Sequence, residues 1–364
     1  MEHIGHLLRA HREELGAPDA GFAKLLRISV ARLREIEASD DLGVGDFERY
    51  CGGLAVDPGA LLGHADKIGA TRTVARFRAA VADAGDVSWR DVRLLSSAAE
   101  VGTVLGRLLA LLDRRPQLWA SRSHRAVTAY PEPWQQGYEL GEAALMRLGV
   151  HVARVDFDAQ GVEGASLWEP AAMPVILLNR RAPRNGYTPA RRAILAHELC
   201  HLLHDGGEDE VAARVTSAEG QGNYHEAVEQ RARAFAPAFL APRSQVRAWA
   251  AAACPGADPE PLVVQLASYW GLSYEGACWH AKNCELIPAA LADELANKRT
   301  KHAISHEEFE ASAAGGGLPL QMLNPELPEE PHPLMVGVAA SLVLDALEAS
   351  SISLGRAREL LAWR

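Results

Sequence analysis

The chain lacks the marks of a secreted, membrane-spanning or nucleic-acid-coating protein. No apolar run approaches ~18 residues, the length a spanning helix requires, so no membrane segment is expected. The opening MEHIGHLLRAHREE carries no signal-peptide pattern. Cysteine is scarce: five residues, Cys51, Cys200, Cys254, Cys278 and Cys284, odd in number and scattered. That pattern fits a reducing compartment better than a disulfide framework, and the expected location is cytoplasmic. Basic charge is in deficit, with 37 Lys and Arg against 47 Asp and Glu, a net charge of −10 and a pI near 5.8. A general nucleic-acid coat is therefore excluded. No internal repeat is evident. What remains is 364 residues, 48% hydrophobic and 23% charged, which predicts two or three globular domains.

The densest chemical signal is Ile194-Leu-Ala-His197-Glu198-Leu-Cys200-His201-Leu-Leu203. It is a His-Glu-x-x-His pattern inside an apolar, helix-compatible segment. Residues four apart share a helix face, so both imidazoles can bind one Zn²⁺, and the Glu between them can act on a water at the metal. The bland alternative is a helix with two satisfied histidines. The apolar residues Leu195, Ala196, Leu199, Leu202 and Leu203 favour a buried active-site helix. Thr188-Pro189 supplies its start.

A catalytic zinc needs a third protein ligand. The candidates are His204, His225, Glu226 and Glu229. His204 could reach the metal only if the helix broke after His201. A metzincin would place a third His six residues after His201, where the chain has Gly207. A Glu from a second helix is the remaining common solution, and 225–240 (HEAVEQRARAFAPAFL) reads as that helix. Glu229 recurs with Ala232, Phe235, Ala236 and Phe239 at three- and four-residue steps, so it lies on the inward face. A carboxylate there needs a partner to offset its desolvation; a metal is one, and a neighbour such as Arg233 is another.

The two segments RRAILAHELCHLLH and EQRARAFAPAFLAP resemble the ImmA/IrrE family of metallopeptidases over roughly residues 125 to 290. The family pattern is an Ala-His-Glu-Leu-x-His helix followed by a Glu-x-x-Ala-Asn-x-Phe-Ala-x-x-Leu-Leu-x-Pro helix. Arg233 stands where the family has Asn, Cys200 where it has Gly, and Pro237 falls inside the second helix. The resemblance implies His197, His201 and Glu229 as zinc ligands and Glu198 as general base. Three short strands are expected beside the metal helix, at 150–158, 164–168 and 174–179. An edge strand of such a sheet can pair with an extended peptide, and the resemblance favours 164–168 for that role. Oxyanion donors could come from Tyr187, Tyr224, His204 or His225. Cys200 reads as a small buried hydrophobe. Cys278-Trp-His280-Ala-Lys-Asn-Cys284 has no standard zinc spacing and reads as a packed helix.

At the N-terminus, apolar spacing predicts helices from Ile4, from Asp19 to Leu26 and from Ser29, with two more around Phe47–Leu54 and Leu61–Leu62. Leu8-Arg9…Arg12-Glu13, Phe22-Ala23 and Leu26-Arg-Ile28-Ser29…Leu33…Ile36-Glu37 resemble the lambda-repressor-like (XRE) helix-turn-helix. In that fold the base-facing positions fall here on Asp19, Val30, Ala31 and Arg32. Residues 1–66 hold seven Lys or Arg against twelve Asp or Glu, a balance of −5. Contacts to DNA would then fall to a local patch of Lys24, Arg27, Arg32 and Arg34. The alternative is a module kept for protein contacts or dimerisation.

The expected fold is α+β and mostly helical: an all-α helix-turn-helix domain (1–66), a helical spacer (67–125), a zincin-like metallopeptidase domain with a small sheet (126–290), a linker (291–333) and a C-terminal helical segment (334–364). Two functions from different classes fit. One is a zinc-dependent endopeptidase and transcriptional regulator that cleaves a partner protein; relatives in the resembled family cut repressors during stress. The other is a DNA-binding transcription factor whose peptidase-like domain senses a ligand or metal without cleaving. The intact Glu198 favours the first. Expected partners are a protein substrate such as a repressor, operator DNA and a second copy of the chain.

Overall fold

A computed structural model describes residues 4–39, 41–54, 56, 61, 88–114, 142–159, 161–168, 172–205, 212–217, 223–298 and 338–361. The chain opens with four short helices, α1 (Ile4–Glu14), α2 (Asp19–Leu26), α3 (Val30–Glu37) and α4 (Val44–Leu54). Ser29 caps α3 by accepting a hydrogen bond from the Arg32 amide. Leu8, Phe22, Leu33, Ile36, Tyr50 and Leu54 form their core. Inside it, Arg12 donates to both Glu37 oxygens at 2.6 and 3.1 Å, and the Tyr50 hydroxyl donates to Glu37 at 2.5 Å. That buried pair ties α1, α3 and α4 together, and each charge is offset by its partners. The expected fifth helix near Leu61 falls almost wholly outside the described residues, as do residues 67–87 of the expected helical spacer.

Helix α5 (Trp89–Leu111) runs 23 residues, with Ser88 as its N-cap. By length and composition it is apolar enough to cross a membrane, and it is the one such helix among the described residues. Its apolar face is instead buried on this chain's own sheet, with Leu95, Ala98, Val101, Leu105 and Leu108 in contact with Val155, Leu167, Val175 and Leu177. Gly102 lets the two layers touch: its carbonyl accepts from the Met173 amide at 2.9 Å, and a Cβ there would meet the Met173 carbonyl oxygen at 2.7 Å.

After α6 (Glu142–Arg147) come β1 (His151–Val155), β2 (Val162–Trp168) and β3 (Val175–Asn179), close to the expected strands. A fourth strand, β4 (Ala212–Ser217), was not anticipated from the sequence. The order is β1-β3-β2-β4, with β1 parallel to β3 and the other pairs antiparallel. The 164–168 segment is thus an interior strand, and the edges among the described strands are β1 and β4. This corrects the expectation that 164–168 would be the free edge; β4 covers it.

The sheet is buried on both faces. On one side lie α7 (Thr188–His204), α8 (Asn223–Leu240), α9 (Arg243–Ala253), α10 (Pro259–Trp270), α11 (Tyr274–Asn283) and α12 (Ala289–Lys298). On the other lie α5, α13 (Val338–Glu348) and α14 (Leu354–Leu361). Helix α5 of the expected spacer and helices α13 and α14 of the expected C-terminal segment therefore share one core with the sheet. Helical structure also runs past the expected boundary at 290, to Lys298. Helix α8 continues through Pro237.

Candidate metal centre

Helix α7 packs between sheet and helices, so nearly every side is buried. Leu195, Ala196, Leu199 and Cys200 are fully buried, and His197, Glu198 and His201 are buried with them. Two arginines secure its N-terminal half. Arg191 donates to the Asn185 carbonyl at 2.7 Å. Arg192 donates to the carbonyls of Trp270 and Gly271 at 2.9 and 2.8 Å, closing the C-terminus of α10. Burial lowers the Arg192 pKa to about 9.

One turn apart on α7, the rings of His197 and His201 stand with centroids 4.7 Å apart. Their Nε2 atoms face each other at 2.9 Å. Glu229, from α8, closes the group: one carboxylate oxygen lies 3.1 Å from His197 Nε2 and the other 3.3 Å from His201 Nε2. Among the described residues this is the one cluster of three or more ligating side chains whose donor atoms all lie within 4.8 Å. Burial alone would raise the Glu229 carboxyl. Hydrogen bonds and charge from His197 and His201 outweigh that and hold it far below the usual carboxylate range.

Ligand atoms about 2.0–2.1 Å from a tetrahedral ion stand about 3.3 Å from one another. The two nitrogens and the carboxylate are spaced close to that, and two imidazoles with a carboxylate are a donor set suited to Zn²⁺. The residues present fit a metal.

Glu198 is fully buried beside this group, and its carboxylate lies against Gly164 of β2. A Cβ at 164 would come within 3.1 Å of Glu198 Oε1, 3.1 Å of Ile194 Cγ2 and 3.2 Å of the Leu177 carbonyl oxygen. The other candidates fall elsewhere. His204 is exposed and packs edge-on against Phe235 at 5.9 Å. Tyr187 caps the start of α7, ten residues and about 15 Å of helix before His197. The side chains of Tyr224, His225 and Glu226 lie outside the described ones. Arg233 is exposed on α8. Burial pushes the Cys200 thiol up to about 11, which leaves it an inert part of the core. Cys278, His280 and Cys284 are buried in α11 and at its end. The His280 ring donates to the Ala241 carbonyl at 2.6 Å.

The sequence reading passed over Asp205. It ends α7 four residues after His201, and its carboxylate meets His201 Nδ1 at 2.5 Å. The signal was present, since this is the same four-residue step that joins His197 to His201.

At the N-terminus, two of the four cationic candidates are engaged with carboxylates. Arg32 donates to Glu35 at 2.9 Å and to Asp46 at 2.7 Å, and Arg34 donates to Asp19 at 3.1 Å. Lys24 and Arg27 are exposed, Arg27 in a left-handed conformation at the end of α2.

A buried histidine pair and a carboxylate from a second helix, beside a small sheet, define a metallopeptidase-like domain. The family model for Peptidase M78, described as the IrrE N-terminal-like domain, matches residues 145–281. That segment holds the sheet and every helix of the site, and the match supports the ImmA/IrrE peptidase family. No curated protein and no solved structure matches the chain.

Proposed function

We propose that the chain is a zinc-dependent endopeptidase that cleaves a partner protein. The observation that carries this reading is the convergence of His197, His201 and Glu229 beside a buried Glu198 that takes no part in the cluster. A bound Zn²⁺ would supply Lewis acidity, polarising the scissile carbonyl and acidifying water. His197, His201 and Glu229 would hold it. Glu198 takes a proton from the attacking water and delivers it to the leaving amine. Ile194 and Gly164 pack against Glu198, and full burial keeps bulk water from its carboxylate. A substrate strand would pair with the outer edge of β4, which lies next to α7.

We read α1–α4 as a helix-turn-helix module of the lambda-repressor type. The pairing of Arg32 and Arg34 with Glu35, Asp46 and Asp19 favours a protein-docking role over DNA reading. A partner such as a repressor would be brought to the catalytic domain by this module. The sensor alternative has no need of a general base.

The test is a pair of measurements on full-length protein. Glu198→Gln should bind about one Zn²⁺ per chain as the wild type does, and lose hydrolysis of a candidate repressor by about 10²-fold or more. Histidine or Glu229 to Ala substitutions should lose the metal. Equal cleavage by wild type and Glu198→Gln would sink the mechanism.

A further inference from the structure

We propose that Asp205 is a positioning residue for this centre and that Arg231 locks it in place; the inference rests on the metal-site reading above. Asp205 is an unusual residue to find where it is. It caps the C-terminus of α7, where the helix dipole disfavours negative charge, and its side chain is only 2% exposed. Burial and dipole both oppose an anion there, so its partners must offset both. It has two. One oxygen faces His201 Nδ1 at 2.5 Å, and the other pairs with the guanidinium of Arg231.

The chemistry follows from the donor inventory. An ionised carboxylate can only accept, so His201 donates from Nδ1. The proton then sits on Nδ1, and Nε2 presents its lone pair to the space it shares with His197 Nε2 and Glu229. Asp205 selects the tautomer a metal requires and fixes the ring's rotation. Arg231 adds a second constraint. It stands two residues after Glu229 on α8 and reaches back to the end of α7. Helix α8 therefore grips α7 at two points, Glu229 on the histidines and Arg231 on Asp205. The register that delivers the third ligand is set by protein contacts.

The experiment uses the full chain stripped of metal, titrated with Zn²⁺ against a chelating indicator and separately with Co²⁺ to record the visible d–d band. Asp205→Ala should weaken Zn²⁺ binding about 10- to 100-fold and shift the Co²⁺ band even at saturation. Asp205→Asn keeps an acceptor but not the charge and should fall between Ala and wild type. Arg231→Met should weaken binding by a smaller factor, and Arg231→Lys should recover part of that loss. A residue that only ended the helix would lower thermal stability and leave the saturated Co²⁺ spectrum unchanged. If Asp205→Ala does not fold, the Asp205→Asn spectrum decides. Wild-type affinity and spectrum in Asp205→Asn and Arg231→Met would overturn the proposal while metal binding by the wild type, lost in His197→Ala, left the centre itself standing. Failure of the wild type to bind Zn²⁺ or Co²⁺ would overturn both.

Discussion

Glu198 shows how much a single side chain here depends on its neighbour across the sheet. Its carboxylate rests on Gly164, and a methyl group at 164 would have backbone on one side, Ile194 on another and Glu198 Oε1 on the third. The backbone oxygen of Leu177 cannot give way, so the Glu198 carboxylate or the whole of α7 must. Gly164→Ala should therefore leave Zn²⁺ content unchanged and lower kcat by about 3- to 10-fold, since the neighbours at 3.1–3.2 Å need to give by only a fraction of the displacement of about an ångström that costs about 10²-fold. Steady-state kinetics with metal analysis on the same preparation checks it. A wild-type kcat would mean that Gly164 does not set the position of Glu198. At this scale the sequence was most informative where the spacing was local. The four-residue step from His197 to His201 and the inward face of Glu229 were readable. The contact with Gly164 was not, because it joins a strand to a helix residue 34 positions later in the chain.

Among the elements, α11 carries a clear pH response. His280 is buried, and its ring donates to the Ala241 carbonyl at the end of α8. Burial is the larger influence and lowers its pKa below the ordinary 6.5, against the opposing hydrogen bond to Ala241. In the unfolded chain the imidazole protonates as pH falls through about 6.5, while the folded chain resists until its own lower pKa. Stability is thus full above 6.5 and declines as pH falls between the two values. His280→Gln should be less stable at pH about 7.5 and lose less on going to about 5.5 than the wild type, read as the shift in urea midpoint. An identical loss in both proteins would place the titration elsewhere. The N-terminal helices, α7 and α8 were expected to within a few residues, because the Ser29 cap and the helical apolar periods are local signals. β4 escaped notice because AARVTS is short and weakly patterned. It becomes a strand by hydrogen bonding to β2, a partner some fifty residues earlier.

For the whole molecule, the arrangement is a sheet with helices on both sides and a four-helix unit docked at the start of α5. Trp89 meets Phe22 edge-on at 6.2 Å, and Arg93 donates to the carbonyls of Gly53 and Gly52 at 2.8 and 3.2 Å, closing the end of α4. On that unit, DNA binding would have to break the Arg32 and Arg34 ion pairs or accept nearby carboxylates against phosphate. Wild-type protein should therefore show weak retention of duplex DNA at about 150 mM salt, and Asp19→Asn with Asp46→Asn should raise it by freeing both arginines. Fluorescence anisotropy with promoter fragments from the native locus measures this. Tight wild-type binding that Arg32→Glu with Arg34→Glu abolishes would restore the DNA-reading role.

The sequence by itself determined the short-range facts: an acidic, cysteine-poor chain, an amphipathic N-terminal helical unit, a histidine pair one helical turn apart with a glutamate between, and a second helix with a carboxylate on its apolar face. These are set by residue type and by periods of two and 3.6, which act over a few positions. Tertiary structure alone decided that α5, α13 and α14 share a core with the sheet, that β4 is its edge beside α7, and that Arg231 and Gly164 lie against the centre. Each of those depends on burial between segments far apart in the chain. Apolar area is lost wherever surfaces fit, and no local pattern records which distant surface will provide the fit.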